Sequence, residues 1–205
     1  MAKIIILNGP AGVGKDTIGK ALYYDYQCIQ TSFKRPMFEI AASILGGRAF
    51  SKFITAYYDR NQKEQPQSFL GGKTCREFMI WIGESVVKPL FGDHHFGKLM
   101  SEHIRLHDEG SCFVCTDGGF PDEVIQLVED GHDVTVVRLL MDGKTFAGDS
   151  RKYIRIKESH FPDHKKYNEH DVHLVNGDID GGVMAVVRAC GIRTAFDGWV
   201  DDIPW

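Results

Sequence analysis

The chain has 205 residues, 43% of them apolar and 25% charged, and a net charge of -4 at pH 7. That length suits one domain with a full core and a small inserted lobe. The acidic balance argues against a general nucleic-acid binder, while a local phosphate site remains compatible with it. Five scattered cysteines lack framework spacing and point to a reducing, cytoplasmic setting. The apolar runs are too short for a signal peptide or a membrane span.

Lys3 to Asn8 is a short apolar strand that leads into Gly9-Pro10-Ala11-Gly12-Val13-Gly14-Lys15-Asp16-Thr17. Glycines let successive backbone N–H groups converge on an anion. The helix expected from Lys15–Thr17 to about Tyr24 adds its N-terminal N–H groups and dipole. Ile18, Ala21 and Leu22 form its apolar face. Lys15 supplies a mobile charge for the β- and γ-phosphates of a nucleotide. The hydroxyl of the strict phosphate-loop pattern falls one place late, at Thr17, with Asp16 in its usual position. The G-K-x-T form occurs in nucleoside monophosphate kinases, with Thr17 on phosphate and Asp16 holding water on Mg²⁺ or positioning the loop. The alternative is a glycine-rich turn without a ligand.

Cys28 to Phe33 reads as a second strand, and Lys34 and Arg35 follow its end, where α/β proteins usually bind ligands. A helical pattern then runs through Ile40, Ala41, Ile44 and Leu45. From Gly46 to Gln67 the pattern weakens, and a loop or an inserted lobe is expected. Thr74 to Glu77 is a capping box, opening a helix that buries Phe78, Met79, Ile82 and Val86. Arg76 lies in its first turn, where a cation opposes the macrodipole unless an anion binds there. A surface ion pair is the other reading.

Ser111 to Asp117 is an apolar strand ending in a carboxylate, like a Walker B strand whose Asp holds the Mg²⁺ shell. A strand points Cys112 and Cys115 to opposite faces, against a shared metal or redox role. Pro121 starts a helix that ends at Gly131. Val134 to Leu140 is a strand of the kind buried on both faces. The cations Arg151, Lys152, Arg155 and Lys157 follow it and suit a lid over phosphates. Val172 to Val175 is the last strand, with a turn at Asn176-Gly177 and a helix over Val183–Ala189 closed by Gly191. The histidines make no convincing metal set, and the role of the tail from Phe196 to Trp205 is not legible.

Alternating strands and helices predict an α/β three-layer fold with a parallel sheet. The glycine loop with its G-K-D-T, Ser32-Phe33 with Pro36, Thr74 to Phe78 with Gly83, Asp117 with Phe120 to Glu123, and Asn176-Gly177 together resemble bacteriophage-type deoxynucleoside monophosphate kinases. The resemblance spans nearly the whole chain in matching order. It implies a P-loop NTPase fold with strand order 2-3-1-4-5, an acceptor-binding insertion over about residues 34–100 and a lid over about 141–157. It implies transfer of the γ-phosphoryl of ATP, with Mg²⁺, to a nucleoside monophosphate.

Under that resemblance Gly9, Ala11, Gly12, Val13, Gly14, Lys15, Asp16 and Thr17 cradle ATP, with Asn176 and Gly177 near its adenine. Phe33, Lys34, Arg35, Arg76, Ile80 and Asp117 face the acceptor, and Arg151, Lys152 and Arg155 form the lid. Lys15, Arg76 and Arg151 are the catalytic candidates, and Asp16, Thr17 and Asp117 the candidates for Mg²⁺. Two positions depart from the family. Gly118-Gly119 stand where an Arg often follows the strand Asp, and Ile80 where a base-reading Gln is common. The expected partners are small-molecule nucleotides, with neither nucleic acid nor membrane. A homodimer, the base and the sugar stay open. Rival readings are another P-loop kinase, such as one acting on dephospho-coenzyme A, and a silent nucleotide-binding module. ATP-driven work on a macromolecule is a lesser one.

Overall fold

β1 (Lys3–Asn8) is central to the sheet because both of its faces are apolar. Ile4 and Ile6 point one way and Ile5 and Leu7 the other, and all four are fully buried. The computed structural model describes residues 1–107, 109–147, 151–161 and 166–192. Around β1 lie β2 (Ile29–Thr31), β3 (Cys112–Cys115), β4 (Asp133–Leu140) and β5 (Tyr167–His173). The sheet is parallel throughout and ordered β2-β3-β1-β4-β5. Ile4 stands beside Phe113 on one side and Val134 on the other.

This order sets the layers. The connection from β1 to β2 runs one way along the sheet, and that from β3 to β4 runs the other. Right-handed crossovers therefore put their helices on opposite faces. α1 (Lys15–Tyr26) and α7 (Ile179–Cys190) cover the Ile5 and Leu7 face, burying Ile18, Leu22, Val183 and Val186. α5 (His95–Ile104) and α6 (Pro121–Glu129) cover the Ile4 and Ile6 face with Phe96, Met100, Val124 and Leu127. The three expected layers are present.

Two segments differ from the sequence expectation. The weakly patterned stretch after Gly46 is largely helical. α2 runs from Arg35 to Tyr58 and breaks only at Gly46, where φ 69 and ψ 165 interrupt the helix. Phe53 and Tyr57 lie one helical turn apart on its inner face and pack on Phe38 and Phe78, with ring centroids 5.0–6.1 Å apart. That spacing is a helical signal, obscured by Gly46-Gly47 before it and the polar run from Asp59 to Gln65 after it.

The capped helix is the second case. α3 (Cys75–Ile80) opens on the expected box, Thr74 Oγ1 accepting from Glu77 N at 3.0 Å and Glu77 Oε2 from Thr74 N at 2.8 Å. It then widens into a π-helical stretch, Trp81–Val87, before α4 (Lys88–Phe91). The wider turn moves the buried stripe by one residue, so Val87 is buried where Val86 was expected.

Smaller shifts occur at the strands. β2 is shorter than expected, and β5 begins five residues early, at Tyr167. β5 is an edge strand whose alternate residues are polar, a pattern that protects an edge and hides the strand from an apolar scan. Its Glu169 and Asp171 both pair with Arg138 in β4, a buried guanidinium inside an otherwise apolar strand. The Asn176-Gly177 turn and the closing Gly191, at φ 56, are as expected. The tail from Phe196 lies outside the described residues. Among the described residues no helix is long and apolar enough to cross a membrane.

Candidate functional site

The strand ends that carry the predicted residues share one edge of the sheet, as they must in a parallel sheet. After β1 the chain turns through Gly12 at φ 72 and Gly14 at φ 103, conformations that a side chain strains and glycine does not. Gly14 caps α1, so the loop feeds directly into free helix N–H groups. Ala11, Gly12, Asp16 and Thr17 are exposed, whereas Gly9 and Val13 are buried against the end of β4. The Lys15 ammonium folds back onto the loop, donating to the carbonyls of Gly9 at 2.6 Å and Pro10 at 2.7 Å. A lysine so placed is held over the concavity that its own loop encloses.

One cation near this loop escaped sequence reasoning. The chain turns after β4, Lys144 N donating to Met141 O at 3.1 Å. This brings Lys144 Nζ within 3.5 Å of where a Cβ on Gly12 would stand. Its distance from the loop in sequence gave no hint of that.

At the same edge of the sheet, lined by residues that follow β2 and β3 and by α2, α3 and α6, is a cavity of about 390 Å³. Phe33, Met37, Met79, Phe96 and Phe120 give it an apolar body, and Lys34, Lys63, Arg76 and Arg151 all line it. Lys63 sits 3.8 Å from the centroid of the Tyr57 ring. Burial, with Lys34 and Arg76 close by, pulls the Lys63 ammonium down to about 8. Arg76 meets Glu64 through Nε and Nη2, both at 2.9 Å from Oε1. That bond holds the Glu64 carboxyl below its ordinary range. Cations crowded around an apolar hollow repel each other unless an anion joins them. Lys63 lay in the stretch without an assigned element, and so it was missed.

The two parts are joined by the segment after residue 150. Asn8, 1% exposed at the end of β1, donates to Gly118 O at 3.3 Å and to Lys152 O at 3.2 Å. It also accepts from Ile154 N at 2.9 Å. Ile154 and Ile156 are buried, and Glu169 accepts from Ile156 N at 2.7 Å. This lacing lays Arg151 across Gly119, where an added Cβ would come within 2.7 Å of Arg151 Cγ. The resemblance expects an arginine directly after Asp117. The double glycine instead leaves room for one that arrives from residue 151.

The other predicted residues fall as follows. Asp117 lines the cavity, but its carboxylate is already engaged. It accepts from Ser32 Oγ at 2.6 Å, Phe33 N at 3.2 Å, Lys34 N at 3.1 Å and Cys115 Sγ at 2.9 Å. Phe33, Lys34, Arg76, Ile80 and Arg151 meet in the same cavity. Arg35 does not join them. It pairs with Glu39 at 3.0 Å and lines a separate groove. Lys152 and Arg155 are exposed, and Arg155 lies 3.5 Å from Asp171. Asn176 and Gly177 are exposed in the turn after β5. Among the described residues no three His, Cys, Asp or Glu side chains gather as a metal cage.

Neither a protein-family model nor a curated protein matches this sequence. Among solved structures, the unliganded crystal structure of a sugar kinase from Janibacter sp. HTCC2649 is similar at 11% identity and a TM-score of 0.39. The match covers 94% of this chain and 95% of that one. So distant a likeness carries no weight for function.

Proposed function

We propose that this chain is an ATP-dependent kinase that converts a nucleoside monophosphate, in the first instance a deoxynucleotide, to its diphosphate. The whole chain acts as one P-loop kinase domain, with residues 34–100 binding the acceptor. One observation carries this reading. A glycine loop opening a helix shares an edge of the sheet with the end of β3, where Asp117 lines an apolar cavity that Lys34, Lys63, Arg76 and Arg151 also line. A loop alone would suit any triphosphate binder, and a cavity with an apolar body and a cationic lining suits a base joined to a phosphate.

In this scheme an oxygen of the acceptor monophosphate supplies the electron pair for a new bond to the γ-phosphorus. The bond from that phosphorus to the β–γ bridging oxygen breaks, and ADP leaves with the pair. No general base is needed, because the attacking oxygen is already anionic. The protein has to position the two phosphates and neutralise their charge. Lys15 takes the β/γ side of ATP, and Lys34, Lys63 and Arg76 take the acceptor phosphate. Arg151, laid across Gly119, bridges the two and helps to exclude water.

Magnesium fits the chemistry of the loop. A hard cation that travels with ATP and keeps several waters asks for only one or two protein oxygens. Thr17 and, through water, Asp16 are exposed at the start of α1 to provide them. Bound there, the ion would supply charge neutralisation on the phosphates. Asp117, which holds the loop before α2 through three contacts, serves by positioning.

The test is ADP release over a panel of deoxynucleoside monophosphates, ribonucleotides and dephospho-coenzyme A, with Lys15→Ala as control. Turnover with one or more monophosphates, lost in the control, is expected. Turnover with dephospho-coenzyme A alone would overturn the choice of acceptor. Tight ATP binding with no transfer to any acceptor would favour a silent nucleotide-binding module.

A further inference from the structure

The deepest polar group in the cavity is one that the scheme above leaves unused. Glu123 sits in the first turn of α6, lines the cavity, and is only 4% exposed. Among the described residues its carboxyl has no hydrogen-bond or ion-pair partner. Its oxygens open on the hollow, where a ligand that displaces water has to satisfy them.

The charged groups facing Glu123 are few and largely committed elsewhere. Asp117 comes from the end of β3 and adds a like charge. Glu84 and Lys88 come from the π-helical stretch and α4, and they pair with each other at 2.6 Å. Lys88 also lies 4.2 Å from the centroid of the Phe120 ring. Lys34 comes from the start of α2, beside the Tyr57 hydroxyl. The remaining neighbours are apolar. Gly83 keeps the wall low, so that Met37 Cε would lie 3.2 Å from a Cβ there and Phe96 Cε2 3.8 Å away. The cation group with Lys63 and Arg76 belongs to other elements, the segment after α2 and the first turn of α3. The cavity thus has a cationic region around Lys63 and Arg76 and, around Glu123, one of mixed charge with the apolar wall of Met37, Gly83 and Phe96.

Resting on the monophosphate-kinase reading, we infer that Glu123 reads the hydrogen-bonding edge of the acceptor's base. Burial first, and then Asp117, push its carboxyl up to about 8, so at neutral pH it carries its proton. A neutral carboxylic acid presents one donor and one acceptor side by side. That pair complements any base edge with an acceptor next to a donor: N1 and the 6-amino group of adenine, N3 and the 4-amino group of cytosine, N3–H and O4 of thymine, or N1–H and O6 of guanine. Once ionised, the same carboxyl only accepts. It would then oppose those edges and favour the adjacent donors N1–H and 2-amino of guanine. The position works as the family's base-reading Gln would, because a protonated Glu and a Gln offer the same pair. Ile80, 50% exposed at the expected place, cannot.

The experiment is steady-state kinetics from pH 6 to 9.5 on the wild type, Glu123→Gln and Glu123→Leu. The acceptors are the four deoxynucleoside monophosphates and deoxyribose 5-phosphate. For adenine, cytosine and thymine acceptors the wild-type KM should rise several-fold more above pH 8 than that for guanine. Glu123→Gln should remove this break, and whatever break survives belongs to Lys63, which titrates in the same range. Glu123→Leu should raise KM for nucleotides roughly 10–100-fold, without changing KM for ATP or turnover of the base-free sugar phosphate. Unchanged nucleotide KM and pH profile in both variants would overturn the assignment while leaving the kinase reading intact. Wild-type failure with every nucleotide would overturn the kinase reading, and this inference with it. ATP binding and a thermal melt report on the fold of each variant.

Discussion

The side-chain oxygen of Asn8 accepts the backbone N–H of Ile154 at 2.9 Å, tying the last residue of β1 to a segment 146 positions later. The same amide holds Gly118 O and Lys152 O. One buried side chain therefore sets the root of the glycine loop, the turn after β3 and the placement of Arg151.

Asn8→Ala should be costly twice over. It leaves a buried N–H and a buried carbonyl without partners, at roughly 1–3 kcal/mol each. It also releases the strap that carries Arg151. Urea unfolding should show a loss of a few kcal/mol, and turnover at saturating substrates should fall further than the lost stability explains. Wild-type turnover in a folded Asn8→Ala protein would show that the strap has no part in catalysis.

Gly119 and Gly97 offer a contrast between site and scaffold. An alanine at 119 meets a flexible arginine side chain, so Arg151 moves and the backbone stays. The expectation is at least a tenfold drop in kcat with stability within about 1 kcal/mol. An alanine at 97 meets the Glu123 carbonyl and sits 2.9 Å from Gln126 Cβ, so α5 and α6 must separate. Overpacking of that kind costs about 1–3 kcal/mol. Denaturation midpoints and kcat for the two variants should separate cleanly.

Lys63 should take up a proton when the acceptor binds. Its ammonium titrates near 8 because of burial and the cations beside it, and a phosphate dianion would favour the charged form. Calorimetry at pH 8 of the binding of deoxyribose 5-phosphate, which leaves Glu123 without a base to read, should report net proton uptake in buffers of different ionisation enthalpy. The Lys63→Met variant should lose that uptake and bind roughly 10-fold more weakly. Uptake that persists in the variant would assign the proton elsewhere.

His132 ties acid stability to the packing of α5. It is buried, its Nε2 lies 3.0 Å from Ser101 Oγ, and burial depresses its pKa below 6.5. The unfolded chain therefore protonates first as pH falls. The stability contributed by neutral His132 is complete above pH 6.5 and is lost as pH drops through the folded value. Between pH 7 and 5 the wild type should lose more stability than His132→Gln, measured by urea midpoints at each pH. Equal slopes would rule out His132 as the group responsible.

Local pattern made much of the framework legible. β1 with its glycine loop, the capping box at Thr74, Pro121 opening α6, and Gly191 closing α7 are short-range signals within one or two turns of chain. Where several residues compete, the reading weakened. The Phe53 and Tyr57 stripe was hidden between Gly46-Gly47 and the polar run after Tyr58. The π-helical turn displaced a buried position from Val86 to Val87, because an extra residue per turn leaves no mark in the periodicity. β5 looked polar because its Glu169 and Asp171 answer a buried Arg138 in another strand.

The candidate site divides in the same way. The sequence by itself determined that Gly9 to Thr17 form a strand–loop–helix unit suited to phosphate, because the geometry of that unit is a matter of adjacent backbone torsions. Only the tertiary structure decided which cations join it. Lys34, Lys63, Arg76 and Arg151 meet in the cavity, Lys144 approaches Gly12, and Arg35 and Arg155 turn away. Likewise it alone decided that Glu123, to the eye a first-turn carboxylate favoured by the helix dipole, is 4% exposed and opens on the cavity. Charge and burial at these positions depend on neighbours tens of residues distant, and chain folding, not local spacing, brings those neighbours together.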